Sequence, residues 1–209
     1  MLVAAVVANA MEANVAYTNQ ASYRSVLEAH HIKVSGIGQV EIPFEEAVSL
    51  LQRADLLDVV QDSYARMLPE GETPEFVIQP EGPSRWFFVN RHNQTSIIEE
   101  IHRDIEPDGR AHVVYYSEGR RFFGNYRSVV DIAIARDQDN QCRYEVTVYA
   151  YPVNSFSRFF ARHLGVVERF FRDKTGEITE LTVAICRELA NPEVPATDTA
   201  SLLPNPHPL

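Results

Sequence analysis

Through the middle of the chain, apolar and polar residues alternate with a period of two for about seventy residues; on either side the spacing is helical. Before that stretch, Lys33 to Ile42 predicts a first strand, carrying Val34, Ile37, Val40 and Ile42. Pro43 stops it and suits the first turn of a helix. Glu45 and Glu46 favour that helix's N-terminus, and Val48, Leu50 and Leu51 give it an apolar side. Ala54 to Met67 predicts a second helix, with Leu56, Leu57, Val60, Tyr64 and Met67 at helical spacing, ended by Pro69-Glu70-Gly71. The alternating stretch then divides into strands at Phe76 to Gln79, Arg85 to Asn90, Thr95 to Ile105, Ala111 to Ser117, Phe122 to Ala135 (bent near Gly124) and Cys142 to Tyr151. Turns are expected at Glu106-Pro107-Asp108-Gly109, at Glu118-Gly119 and at Asp137 to Asn140.

Two strands have clean faces. Tyr126, Ser128, Val130, Ile132 and Ile134 share one side, and Tyr144, Val146, Val148 and Ala150 share another. The opposite sides are mixed, which predicts an antiparallel sheet with one wet face. After Pro152, Asn154 or Ser155 can cap a helix. From there Phe156, Phe160, Leu164, Val167, Phe171, Ile178, Ile185 and Leu189 keep helical spacing to the end of a long segment. A helix with one apolar stripe must lie along something apolar. The concave face of the sheet is the candidate, so the fold class is α+β.

Composition narrows the choice. With 209 residues, one domain plus tails is expected. Residues 1–32 read as a peripheral or signal-like segment, 33–190 as the folded domain and 191–209 as a disordered tail, since five prolines fall in those last nineteen residues. A net charge of −10 argues against nucleic acid as partner. Two cysteines cannot build a disulfide framework; Cys142 and Cys186 are expected as free buried thiols, or as a disulfide if the protein is exported. No run of about 18 apolar residues is present, so no integral membrane span is expected. Leu2 to Ala8 is apolar but lacks a preceding Lys or Arg; a cytoplasmic protein is expected, with residues 1–13 as a truncated export signal the alternative.

The order of strand, two short helices, six antiparallel strands and a long C-terminal helix resembles the helix-grip fold of the START and Bet v 1-like superfamily. That superfamily includes polyketide cyclases, dehydratases and lipid-transfer domains. Val40-Glu41-Ile42-Pro43-Phe44-Glu45-Glu46-Ala47-Val48 looks like its first strand entering its first helix. Tyr151-Pro152-Val153-Asn154 leading to Phe159-Phe160-Ala161-Arg162 looks like its last strand feeding the long helix. The glycine-rich loop of the plant members is absent. The resemblance implies a cavity between sheet and helix that holds a lipid, a polyketide or another apolar molecule.

Candidate lining residues are Phe88, Glu99, Tyr116, Tyr126, Val130, Tyr144, Val146, Phe160, His163, Val167 and Phe171. The aromatics among them line a hollow or simply fill a core. Glu99 alternates with Ile97 and Ile101 and is expected to face inward as a ligand hydrogen-bonder or general acid, unless a bulge or register shift turns Ile98 in instead. His102 and His112 flank the Pro107 turn; an exposed cross-strand pair is the simpler reading than a metal site, for which a third ligand is lacking. Arg120, Arg121, Arg127, Arg158, Arg162, Arg169, Arg172 and Lys174 form either a rim patch for an anionic head group or a solvated face. No phosphate-binding loop, dinucleotide fingerprint or hydrolase signature occurs, and no cofactor is expected. The leading expectation is a non-catalytic binder of a small hydrophobic ligand. The alternatives are a cyclase or dehydratase acting in the same cavity, and a protein-interaction module with a filled core.

Overall fold

The structure, a computed structural model, describes residues 21–106, 109–121, 124–137, 141–154, 158 and 166–190. In chain order these form α1 (Ala21–Ala29), β1 (Ile32–Pro43), α2 (Phe44–Leu51), α3 (Leu56–Met67), β2 (Phe76–Gly82), β3 (Arg85–Asn90), β4 (Thr95–Glu106), β5 (Arg110–Arg121), β6 (Gly124–Arg136), β7 (Gln141–Pro152) and α4 (Val166–Ala190). The seven strands make one sheet in the order β1-β7-β6-β5-β4-β3-β2, and every neighbouring pair is antiparallel. The α+β class and the antiparallel sheet match the sequence expectation. The arrangement is compatible with a helix-grip fold. Of the helix expected from Asn154, the 25 residues of α4 are described; Phe160 and His163 lie outside the described residues, as do the N-terminal residues 1–20 and the tail. No helix among the described residues is long and apolar enough to cross a membrane.

The alternation within each strand gives the sheet two faces. Ile32, Val34, Val40 and Ile42 of β1, Cys142, Tyr144, Val146, Val148 and Ala150 of β7, and Tyr126 and Ile134 of β6 join Val167 and Phe171 of α4 in the main core. This is the inner face, and the clean faces read from β6 and β7 are the ones that point there. Val167, Phe171 and Thr175 follow one another at four-residue spacing and are all buried.

The helix comes close because β1 offers no side chain at its middle. A Cβ added at Gly36 would stand 3.1 Å from Thr179 Oγ1 and 3.6 Å from Thr175 Cγ2. One step along, the ring of Tyr144, whose residue pairs with Gly38, occupies the space a Cβ at Gly38 would take. Two glycines on the inner side of one strand therefore act as a seat, one for the helix and one for a neighbouring ring.

The β2–β3 end of the inner face is closed by the helix pair after β1. Leu51 and Leu57 pack on Ile78, Trp86, Val113 and Tyr115. Tyr64, Phe76 and Phe88 stack in series, with ring centroids 4.7 and 5.0 Å apart. At the edge strand, Gln61 Oε1 accepts a hydrogen bond from the backbone N–H of Ile78 at 2.9 Å, answering one donor the sheet leaves unpaired.

Three expectations are corrected. The turn placed at Glu118-Gly119 does not occur: β5 continues to Arg121, and β6 begins at Gly124 with φ of +106°. Gly119 is a strand residue because the side chains of Ser96 and Tyr126 meet over it. Residues 21–29 are not peripheral: they form α1, whose Tyr23 and Val26 are buried against Val114, Tyr116 and Val129. The outer face is accordingly covered in part, not wet throughout.

The glycine seat gives a direct test. Gly36→Val drives two methyls into Thr175 and Thr179 and should cost about 1–3 kcal/mol by overpacking. Urea unfolding should show a lower midpoint with an unchanged slope.

Candidate functional site

The inner face is not uniform along the strands. Where it meets the second half of α4 it is filled by Val146, Tyr144 and Ile134. Toward the other end, register alignment brings small residues together. Ser96, Gly119 and Tyr126 form one cross-strand row, and Ile98, Ser117, Ser128 and Ala150 form the next. Ser96, Ser117, Gly119, Ser128 and Ala150 thus make a contiguous shallow dish of small side chains, of which Ser96, Ser128 and Ala150 are buried. Around it stand Trp86, Phe88, Tyr115, Tyr126 and Val130. Phe171 meets Tyr126 edge-on, with centroids 5.7 Å apart. Arg121 closes the rim: its guanidinium lies 5.6 Å from the ring centroids of both Phe88 and Tyr126.

Tyr115 stands beside this dish and is 4% exposed. Its hydroxyl is fully buried and has no hydrogen-bond partner among the described residues. A hydroxyl left in that state costs about 1–3 kcal/mol. Burial, with the Glu100 carboxylate nearby, pushes its pKa well up, so it is a neutral donor at any physiological pH.

The inward-facing carboxylate is Glu100, not Glu99. Glu99 pairs with Tyr116 on the outer face and is hydrogen-bonded to Tyr23 of α1. Burial together with the charge and hydrogen bond of Glu99 pushes the Tyr23 phenol up to about 12. Glu99 does share a face with Ile97 and Ile101, as the alternation predicts, but that face is the outer one; Ile98 packs inside with Trp86. Tyr116 lies on the outer face too, its hydroxyl donating to Glu118. Period-two alternation fixes which residues go together and says nothing of which side is covered.

A bulge between Glu100 and His102 adds a consequence. It reverses the alternation within β4, so Glu100 and Arg103 fall on the same inner face three residues apart. Arg103 holds the carboxylate by two hydrogen bonds of 2.8 and 2.5 Å. The same guanidinium donates to the backbone carbonyls of Leu51 and Arg53, the latter at 2.8 Å. The Leu51 carbonyl belongs to the open end of α2, so one side chain both neutralises Glu100 and caps a helix. Glu100 is therefore committed to structure, and neither it nor Glu99 is a free acid in the dish.

Of the residues expected at the site, the structure brings Phe88, Tyr126, Val130, Val167 and Phe171 around the inner face near the dish. Tyr144 and Val146 sit on the same face, packed into the core beyond it. Glu99 and Tyr116 are excluded by the sheet itself. Ser96, Ser117, Ser128 and Tyr115 are not among the candidate lining residues, although Ser128 shares the apolar face read from β6 and Tyr115 is one of the aromatics on the strands around it. Their signal was present, as polar residues on the apolar side of strands, but it reads as a wet face until strand register is known.

His102 and His112 are a cross-strand pair on the outer face, centroids 6.1 Å apart. His112 Nε2 is paired with Asp131. Burial pulls the His112 pKa down, but the hydrogen bond and charge of Asp131, with Glu106 and Asp104, outweigh it, and the net shift is upward. His102 goes down, by burial first and then by the charge of His112. No group of three or more His, Cys, Asp or Glu among the described residues is arranged to hold a metal ion. Cys142 and Cys186 are free thiols, as expected. Burial pushes them up to about 12 and about 11, with the neighbouring sulfur adding to the first.

No protein-family model matches the chain, and no curated protein matches it. Solved structures with similar backbones include a conserved protein from Geobacillus kaustophilus (TM-score 0.48, 16% identity, covering 76% of this chain and 95% of that one). A hypothetical protein from Helicobacter pylori has TM-score 0.47 at 8% identity, covering 75% of this chain and 85% of that one. Norcoclaurine synthase from Thalictrum flavum, in complex with dopamine and hydroxybenzaldehyde, has TM-score 0.46 at 12% identity, covering 75% and 85%. At these scores the likenesses carry no weight for the site.

Two outcomes are expected. Arg103→Ala leaves Glu100 in a half-buried place without its partner and opens the end of α2; it should cost about 2–3 kcal/mol in denaturant unfolding. His112, with its folded value raised above the ordinary 6.5, contributes stability that is complete below that value and lost as pH rises through the raised one. The unfolding midpoint of the wild type relative to His112→Gln should therefore be highest below the ordinary 6.5 and fall as the pH rises above it.

Proposed function

We propose that the chain binds a small, mainly apolar molecule, lipid-like or polyketide-like, over the dish of small residues on the inner face. The observation that carries this reading is the buried hydroxyl of Tyr115, unpartnered beside a patch where small side chains replace the large ones that fill the rest of the face. An apolar body seated there would remove surface from water at ~25 cal/mol per Å². One polar group on the ligand would satisfy the Tyr115 hydroxyl and fix orientation. Phe88, Tyr126, Val130 and Phe171 would supply contact area, and Arg121 the rim. Val167 belongs to the same wall. In this reading the protein is a binder, which the neutralisation of the inward carboxylate of Glu100 by Arg103 favours.

Native mass spectrometry of protein from its own host, followed by denaturing extraction, tests the reading. A stoichiometric apolar passenger is expected. Ser128→Leu, which fills the dish, should release it; because Ser128 is buried, the unfolding midpoint should also fall modestly while unfolding stays cooperative. Tyr115→Phe removes an unsatisfied hydroxyl, so it should leave the free protein as stable or more so, yet weaken ligand retention about threefold to tenfold. A clean unliganded mass, with no thermal stabilisation by a lipid and polyketide panel, would favour the protein-interaction module instead.

A further inference from the structure

The outer face carries a groove that the inner dish does not explain. It has a volume of about 420 Å³ and lies across the ends of β3 to β6 and the residue after β7. Phe87 and Ile97 form its apolar side, with Val153, 37% exposed, at the rim. Arg120, Asn125, Arg127 and Glu118 form its polar side, and Thr95, Gly119 and Tyr126 complete it. Alternation explains the composition: Arg121 turns to the inner rim, so Arg120 turns outward, beside Arg127 and Asn125 of the paired strand. α1 packs further along the face, on Val114, Tyr116 and Val129, and leaves this end uncovered.

The charges in the groove are arranged. Arg127 Nε is held 3.0 Å from Glu118 Oε1, and Glu118 is itself fixed by the buried Tyr116 hydroxyl. That pair cancels. Arg120 is exposed and has no acidic partner among the described residues, in a chain whose net charge is −10. The groove therefore presents one uncompensated guanidinium next to a fixed pair and an apolar surface. A guanidinium matches a carboxylate with two parallel hydrogen bonds.

We propose that this groove binds a small monocarboxylate with an apolar body, its carboxylate on Arg120 and Asn125 and its body against Phe87 and Ile97. A neutral analogue leaves the guanidinium unanswered, and a dianion brings a charge the groove does not match. The side chains that would hold this ligand, Arg120, Phe87 and Ile97, lie on the face opposite the inner dish, although Gly119 and Tyr126 border both.

The test is a titration of the full chain, with Ile and Val methyls labelled, followed by NMR. Phenylacetate is the probe and phenylacetamide the neutral control. Phenylacetate should shift the Ile97 and Val153 methyl resonances saturably, and the amide should bind at least about tenfold more weakly. Arg120→Gln should weaken phenylacetate about tenfold while leaving thermal unfolding unchanged, since Arg120 is exposed. Ser128→Leu should leave the titration as it is, which separates this site from the inner one. Absence of binding, equal affinity for acid and amide, unchanged binding in Arg120→Gln, or shifts confined to Val130 and Val148 would each overturn the proposal.

Discussion

Thr175 and Thr179 reach the backbone of β1 because nothing projects from Gly36 on the inner face. That contact sets where the long helix lies, and most of the inner face follows from it. With α4 seated on β1, the valines and tyrosine of β7 are covered and become core. The helix then runs past Tyr126 through Phe171, at the other end of the face. There the strands present Ser96, Ser117, Gly119, Ser128 and Ala150, so the same close approach that fills one half of the face leaves low side chains in the other. A larger residue at Gly36 would lift the helix and erase the distinction between the two halves.

The sheet is a partition as much as a scaffold. On one side it buries a neutral tyrosine hydroxyl and a neutralised carboxylate; on the other it orders tyrosines, histidines and acids under and beside α1. The bulge in β4 makes this sorting asymmetric. It places Glu100 and Arg103 on one face, where Arg103 also ends α2, and so ties the helix pair to the sheet. It leaves His102 and Asp104 on the outer face with His112 and Asp131. One extra residue thus decides that Arg103 meets Glu100 and that His102 and Asp104 stand on the other face.

Much of the architecture was legible along the chain. The alternating faces of β6 and β7, Pro43 between β1 and α2, and the helical spacing of Leu56 to Met67 correspond to observed elements. The site was legible only in part. Phe88, Tyr126, Val130 and Phe171 reach the inner face because large apolar residues in alternation must go to a covered side. Glu99 and Tyr116 do not, because a strand flanked by apolar residues on both faces carries no label for inside and outside. α1 was missed for a related reason: Tyr23, Val26 and Leu27 repeat at helical spacing for only two turns, too short a stretch to stand out.

The sequence by itself determined the periodicities: which residues share a face, where strands give way to helices, and that Cys142 and Cys186 lie in different elements. It did so because these are local consequences of backbone geometry and side-chain type. Which face α4 and α1 cover, that the bulge turns Arg103 inward beside Glu100, and which serines align into a dish were decided only in three dimensions. Register and packing join residues far apart in the chain, and no local pattern encodes the partner a strand will find.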